Sequence, residues 1–210
     1  MFALVESGSI TKFFSGNRGI TIGDKQYPKA IFTLWTKSER EAIGIYEIEF
    51  DKTNKKDEKW YINTNQSFAF AGGKITATYE TATARAHADT LYTEQNKTDN
   101  EIPDGKDVGD VATRGLKYNL IQTIKRQASK ILQDTDWYIV RKADAGTAVP
   151  SSITNHRAAV RTKAASMETA ITNASNTPAL ETLYTYVNTA DEGDPVVMER
   201  PLGEFPVLGS

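Results

Sequence analysis

The hydrophobic period of this chain changes once, near Val108, and that change restricts the fold more than any other feature. Upstream, apolar and polar residues alternate with the period of about 2 that a half-buried strand requires. Downstream, apolar residues recur with the period of about 3.6 that places them on one face of a helix. A pattern written for one period does not settle into the other, so strands come first and helices follow. The expected class is α+β: a small N-terminal antiparallel β domain, then a C-terminal helical hairpin or bundle with an extended tail.

Residues 1–80 carry the β pattern. Phe2-Ala3-Leu4-Val5, Ile10-Thr11-Lys12-Phe13-Phe14, Ile20-Thr21-Ile22 and Ala30 to Trp35 are short β-type runs, with turn residues such as Gly23-Asp24 between them. Ile45 to Phe50 alternates strictly and reads as a half-buried strand. Thr36 with Glu39 and Ser38 with Glu41 form overlapping capping boxes for one or two helical turns, which Gly44 stops. Trp60-Tyr61-Ile62, Ser67 to Phe70 and Lys74 to Tyr79 complete the domain, with Gly72-Gly73 as a turn. Residues 81–107 have a linker composition whose Ala-rich first half is compatible with helix.

The helical domain is expected over 108–190. Val111, Leu116, Leu120, Ile124, Ile131 and Leu132 form one stripe, which predicts a long amphipathic helix over 108–133. A second helix starts at Pro150-Ser151-Ser152. Its Ile153, Arg157, Val160, Ala164, Met167, Ile171 and Ala174 are spaced alternately by 4 and 3, as in a heptad seam. The connector between them predicts an antiparallel hairpin, with Trp137 filling the gap between the helices and Arg157 meeting a carboxylate such as Asp136. On that expectation Trp137→Ala would cost about 3 to 5 kcal/mol, and a cost below about 1 kcal/mol would place the ring on a surface. Asn176-Thr177-Pro178 opens a third, shorter helix. Residues 191–210, with three Pro and three Gly, form an extended tail that needs a surface to pack on.

The residues for most chemistry are missing. There is no Cys and only two His, His87 and His156, so thiol catalysis, disulfides and most zinc sites have no ligands. No phosphate-binding glycine loop or Gly-x-Ser-x-Gly elbow occurs. The acids Asp51, Asp57 and Glu58 are interleaved with lysines, and Asp104, Asp107 and Asp110 read as charges placed at a helix start. No catalytic residue, metal ligand or cofactor is assigned, and the chain is not expected to be an enzyme. With 25 Lys and Arg against 27 Asp and Glu, the net charge of −2 does not favour nucleic acid. No run approaches the roughly 20 apolar residues of a membrane span, and Met1 to Val5 is too short for the apolar core of a signal peptide.

One stretch points to a known family. Ile131-Leu132, then Thr135-Asp136-Trp137-Tyr138, a loop containing Pro150, and Arg157-Ala158-Ala159-Val160-Arg161 resemble the C-terminal region of bacteriophage tail-assembly chaperone and tail-fibre assembly proteins. That family has a leucine-rich helix end, a Ser/Thr-Asp-Trp turn and a Tyr-Arg-x-x-Leu-Arg helix; here His156 stands for the Tyr and Val160 for the Leu. Tyr27-Pro28, Ile31-Phe32, Leu34-Trp35 and Glu41 to Tyr46 resemble the β domain that leads phage tail-fibre accessory proteins.

The resemblance covers the chain in patches. It implies a tail-fibre or baseplate-associated structural, adaptor or assembly protein, in the virion tail or in the host cytoplasm during assembly. Tail-fibre or baseplate proteins would be its partners, and a homo-oligomer stays open. Asp136, Trp137, Tyr138, Arg157, Arg161 and Trp35 are the implied interaction and structural residues. The alternative is a carbohydrate or host-receptor-binding module of a tail, which would use Trp35, Trp60 and Tyr61 as exposed aromatic faces.

Overall fold

The computed structural model describes residues 1–64 and 66–209. The architecture is α+β, and the chain divides into two compact units, Met1–Thr83 and Ala84–Ser210.

The first unit contains β1 (Phe2–Glu6), β2 (Ser9–Phe14), β3 (Ile20–Ile22), β4 (Lys25–Tyr27), α1 (Lys37–Glu41), β5 (Ile45–Asp51), β6 (Tyr61–Ile62), β7 (Gln66–Ala71) and β8 (Lys74–Tyr79). Five strands form one sheet in the order β2-β1-β5-β8-β7. Four of the five lie antiparallel to a sequence neighbour, as expected, but β5 and β8 pair in parallel. The reason is the long excursion after β5. It carries the chain to the far edge, where β7 runs back and turns through Gly72-Gly73 into β8, so β8 inherits the direction of β5. Both glycines have positive φ, +58° and +75°, as a two-residue hairpin turn demands.

Alternation splits the apolar residues between two clusters. Leu4 and Ile45 are register partners on one face and pack with Phe14, Ile31 and Phe32. Ala3, Ile48, Ile75 and Ala77 form the other cluster. At the outer edges Phe13 of β2 meets Phe68 of β7, ring centroids 4.8 Å apart, so the sheet curls until its edge strands approach.

Residues 30–35, expected as a strand, instead begin with a 3-10 turn over Lys29–Phe32. Pro28 has a fixed φ of −70°, and its carbonyl accepts from the Ile31 N–H, which tightens the chain and drives Ile31 and Phe32 into the sheet face. The Thr36–Glu39 capping box forms and opens α1.

The second unit begins as the chain leaves β9 (Thr83–Ala84). It contains β10 (Thr90–Leu91), α2 (Glu94–Thr98), β11 (Val111–Thr113), α3 (Leu116–Gln133), α4 (Asp136–Ala145), α5 (Ser151–Asn173), α6 (Thr177–Tyr184), β12 (Val187–Asn188) and β13 (Met198–Glu199). Residues 81–107, expected as a linker, include β10 and α2. β10 and β11 pair antiparallel, and the Ala-rich stretch is extended because its carbonyls are engaged elsewhere. Ala86 and His87 accept from the N–H groups of Leu116 and Lys117, and Arg85 accepts from the Thr177 hydroxyl at 2.6 Å.

The first long helix consequently starts at Leu116 and not at residue 108. Gly115 is its N-cap residue, and its N–H donates to Asp89 Oδ1 at 2.8 Å while Arg114 pairs with Asp89 Oδ2 at 2.6 Å. The Gly115 N–H, reinforced by Arg114, holds the Asp89 carboxyl below its usual pKa. A Cβ at Gly115 would lie 2.2 Å from the Ala88 carbonyl oxygen, so the close approach needs glycine.

α3 and α5 run antiparallel. Lys117 at the start of α3 donates to the Thr172 carbonyl near the end of α5, and Arg157 near the start of α5 donates to the Leu132 carbonyl at the end of α3. Leu120, Ile124 and Ala128 of α3 are buried, as are all seven seam positions from Ile153 to Ala174. The tail folds back as the short hairpin β12–β13, and Leu202 beyond it is buried, its N–H donating to the Leu183 carbonyl at 3.0 Å. Tyr186 donates its phenolic proton to Glu204, a contact that raises the Tyr186 pKa and holds the hairpin base.

Candidate functional site

The Thr-Asp-Trp-Tyr motif lies where α3 breaks into α4. Asp134 keeps helical angles, Thr135 turns to φ −116° and ψ 4°, and Asp136 resumes the helix. Thr135 is buried, and both its N–H and its hydroxyl donate to the Leu132 carbonyl, at 3.1 and 2.9 Å. These bonds satisfy the end of α3 locally.

Arg157 reaches this break from the seam of α5, 8% exposed. Its Nη1 donates to the Leu132 carbonyl and to Thr135 Oγ1, both at 2.7 Å, and its Nη2 lies 2.8 Å from Asp136 Oδ1. A guanidinium in this position supplies positive charge at the C-terminal end of α3 and fixes where α4 begins. The expected pairing of Arg157 with Asp136 is present. The residue filling the space between the helices, however, is Arg157 and not Trp137.

Trp137 is 51% exposed, which corrects the expectation that its ring would lock the hairpin. The physical reason is that residues 136–145 do not form a loop that could swing the ring inward. They continue as helix, and no residue of α4 is buried. Trp137 therefore stacks along its own helix. Its ring centroid lies 4.1 Å from that of Tyr138, and the Arg141 guanidinium, one turn on, sits 4.5 Å from the Trp137 centroid. Ile139 and Val140 are exposed beside them.

The other implied residues do not join this site. Arg161 lies one turn further along α5, exposed, and Trp35 is half-buried in the first unit with its ring edge-on to Tyr27 at 6.0 Å. Trp60 and Tyr61 are buried, with Lys59 and Lys56 lying 4.3 and 4.5 Å from their ring centroids, so neither offers the open face a sugar would need. The sequence reading passed over Arg141, the cation that stacks on Trp137. It also passed over the apolar hairpin from Tyr186 to Met198, whose signal was two β-type runs flanking Asp191-Glu192-Gly193-Asp194.

The site therefore combines a buried Arg157 whose donors end on protein oxygens with an exposed aromatic and aliphatic helix. The first clamps the start of α4, and the second is open to solvent. Among the described residues no group of three His, Asp or Glu side chains is placed to hold a metal ion, and no helix is long and apolar enough to cross a membrane. Comparison with protein-family models, with curated proteins and with solved structures finds no match to this chain.

Proposed function

We propose that this chain is a bacteriophage tail protein that works by protein–protein binding, as a tail-fibre or baseplate-associated adaptor or assembly protein. The observation that carries the reading is α4. It lies within the motif that resembles the tail-assembly family, buries none of its own residues, and exposes Trp137, Ile139 and Val140 to solvent. Three large apolar side chains left exposed on one short helix mark a candidate interaction surface on a folded protein. The Arg157 clamp supports the same reading, because it holds the start of α4 in one place and so pre-organises the surface for a partner.

Quantitative mass spectrometry of purified particles, with the matching infected-cell lysate, tests the proposal. Stoichiometric presence in particles makes the chain a resident adaptor. Recovery only from lysate, bound to unassembled fibre or baseplate protein, makes it a chaperone-like factor that departs. Absence from both overturns the proposal.

A further inference from the structure

We infer that the partner of α4 is a second copy of this chain, whose β12–β13 hairpin seats on it, so that copies associate head to tail. Two apolar surfaces of the second unit lack cover. One is α4, with exposed Trp137, Ile139 and Val140. The other is the hairpin, where Val187, Val196, Val197 and Met198 are all exposed, Val196 by 70%. A two-stranded hairpin that leaves its aliphatic residues in water is marginal by itself and gains stability by docking.

Charge pairs the two surfaces. From Tyr186 to Glu199 the hairpin carries Asp191, Glu192, Asp194 and Glu199 with no Lys or Arg, and none of the four makes an ion pair among the described residues. Beside the exposed apolar residues of α4 stand the half-buried Arg141 and the exposed Lys142, which also make no ion pair among the described residues. The acids of α4 do not cancel both, since Asp136 is engaged by Arg157 and Asp144, one turn from Arg141, makes no ion pair among the described residues, which leaves α4 one positive charge in excess. Pairing of hairpin with hairpin would be opposed by four acids on each side, whereas hairpin on α4 joins apolar to apolar and acid to base.

The two surfaces are different parts of one unit, so the contact is heterologous. Each copy presents a free hairpin and a free α4, and association continues into a ring or a filament. This inference rests on the reading that the chain works through these surfaces, and its test is separate from the particle composition that tests that reading.

Sedimentation velocity of the full chain decides it. One variant reverses α4 (Arg141→Glu with Lys142→Glu), another reverses the hairpin (Asp191→Lys, Glu192→Lys and Asp194→Lys), and a third combines both sets in one chain. Lys142, Asp191, Glu192 and Asp194 are exposed and Arg141 is half-buried, so circular dichroism checks that each variant keeps its helices. Wild type is expected to form concentration-dependent species larger than a dimer, each reversal to weaken association by about tenfold or more, and the combined chain to recover it. A wild-type chain that stays monomeric at every soluble concentration overturns the inference, even if the chain is found in particles. So does assembly that survives the hairpin reversal, or a combined chain that stays as dissociated as the single reversals.

Discussion

Replacing Arg157 by Ala isolates the clamp that positions α4. The substitution removes two short hydrogen bonds from a charged donor, each worth about 1.5 to 3 kcal/mol in a buried setting. It also removes the contact with Asp136, but that carboxylate is 55% exposed, which limits the ion pair to about 0 to 1 kcal/mol. Two effects reduce the loss. The Leu132 carbonyl keeps the N–H and hydroxyl of Thr135 as donors, so it is not orphaned, and the desolvation cost of the guanidinium disappears with the charge. The expected destabilisation is about 3 kcal/mol, with Asp136→Ala below about 1 kcal/mol. Urea unfolding followed by the far-UV helix signal reads the second unit, because the four longest helices all lie there. A loss below about 1 kcal/mol for Arg157→Ala, or an Asp136→Ala cost equal to it, would refute the reasoning.

Three further outcomes are expected. Trp137→Ala should change the stability of the second unit by less than about 1 kcal/mol in the same urea experiment, because the ring is half exposed and stacks on Tyr138 and Arg141 of its own helix. Gly115→Ala should destabilise by about 1 to 3 kcal/mol and lower the Tm, because its Cβ would meet the Ala88 carbonyl oxygen at 2.2 Å and the backbone must shift. Asp89 has a folded pKa below its ordinary value, so its contribution is present above the unfolded pKa and is lost as pH falls through the lower folded one. The Tm difference between wild type and Asp89→Asn should therefore be steady near neutral pH and close below about pH 4 in a series of thermal melts.

The seam of α5 was legible because its spacing of 4 and 3 is a property of the helix alone, and each of its residues from Ile153 to Ala174 is buried. The Thr36–Glu39 box and the Gly72-Gly73 turn were legible for the same reason, since their partners lie within a few residues. Features set by distant residues were not. The start of α3 depends on Asp89, 26 residues from Gly115, and on the pairing of β10 with β11, none of which the stripe from Val111 to Leu132 encodes. The parallel β5–β8 pair follows from the path of a long excursion, which local alternation does not specify.

Trp137 shows the limit within the candidate site. A large aromatic beside a helix end reads as core, but its burial depends on where the residues after it go, and they form a helix with no fully buried residue. Arg157 carried the correct signal in a polar position of an apolar seam, where a charge needs acceptors. Its partners were nearby in space and more than twenty residues away in sequence.

The most direct test of the central claim, that the exposed surface of α4 is a contact surface in a phage tail, is cross-linking mass spectrometry on particles or on fibre and baseplate complexes from lysate. Lys142 stands on α4, and Lys52 lies in the polar loop after β5 as an internal comparison. The account expects Lys142 to be joined to another polypeptide, a second copy or a tail protein, at a far higher yield than Lys52. Lys142 carrying only the single-ended modification of an open surface, at the level seen for Lys52, would contradict it.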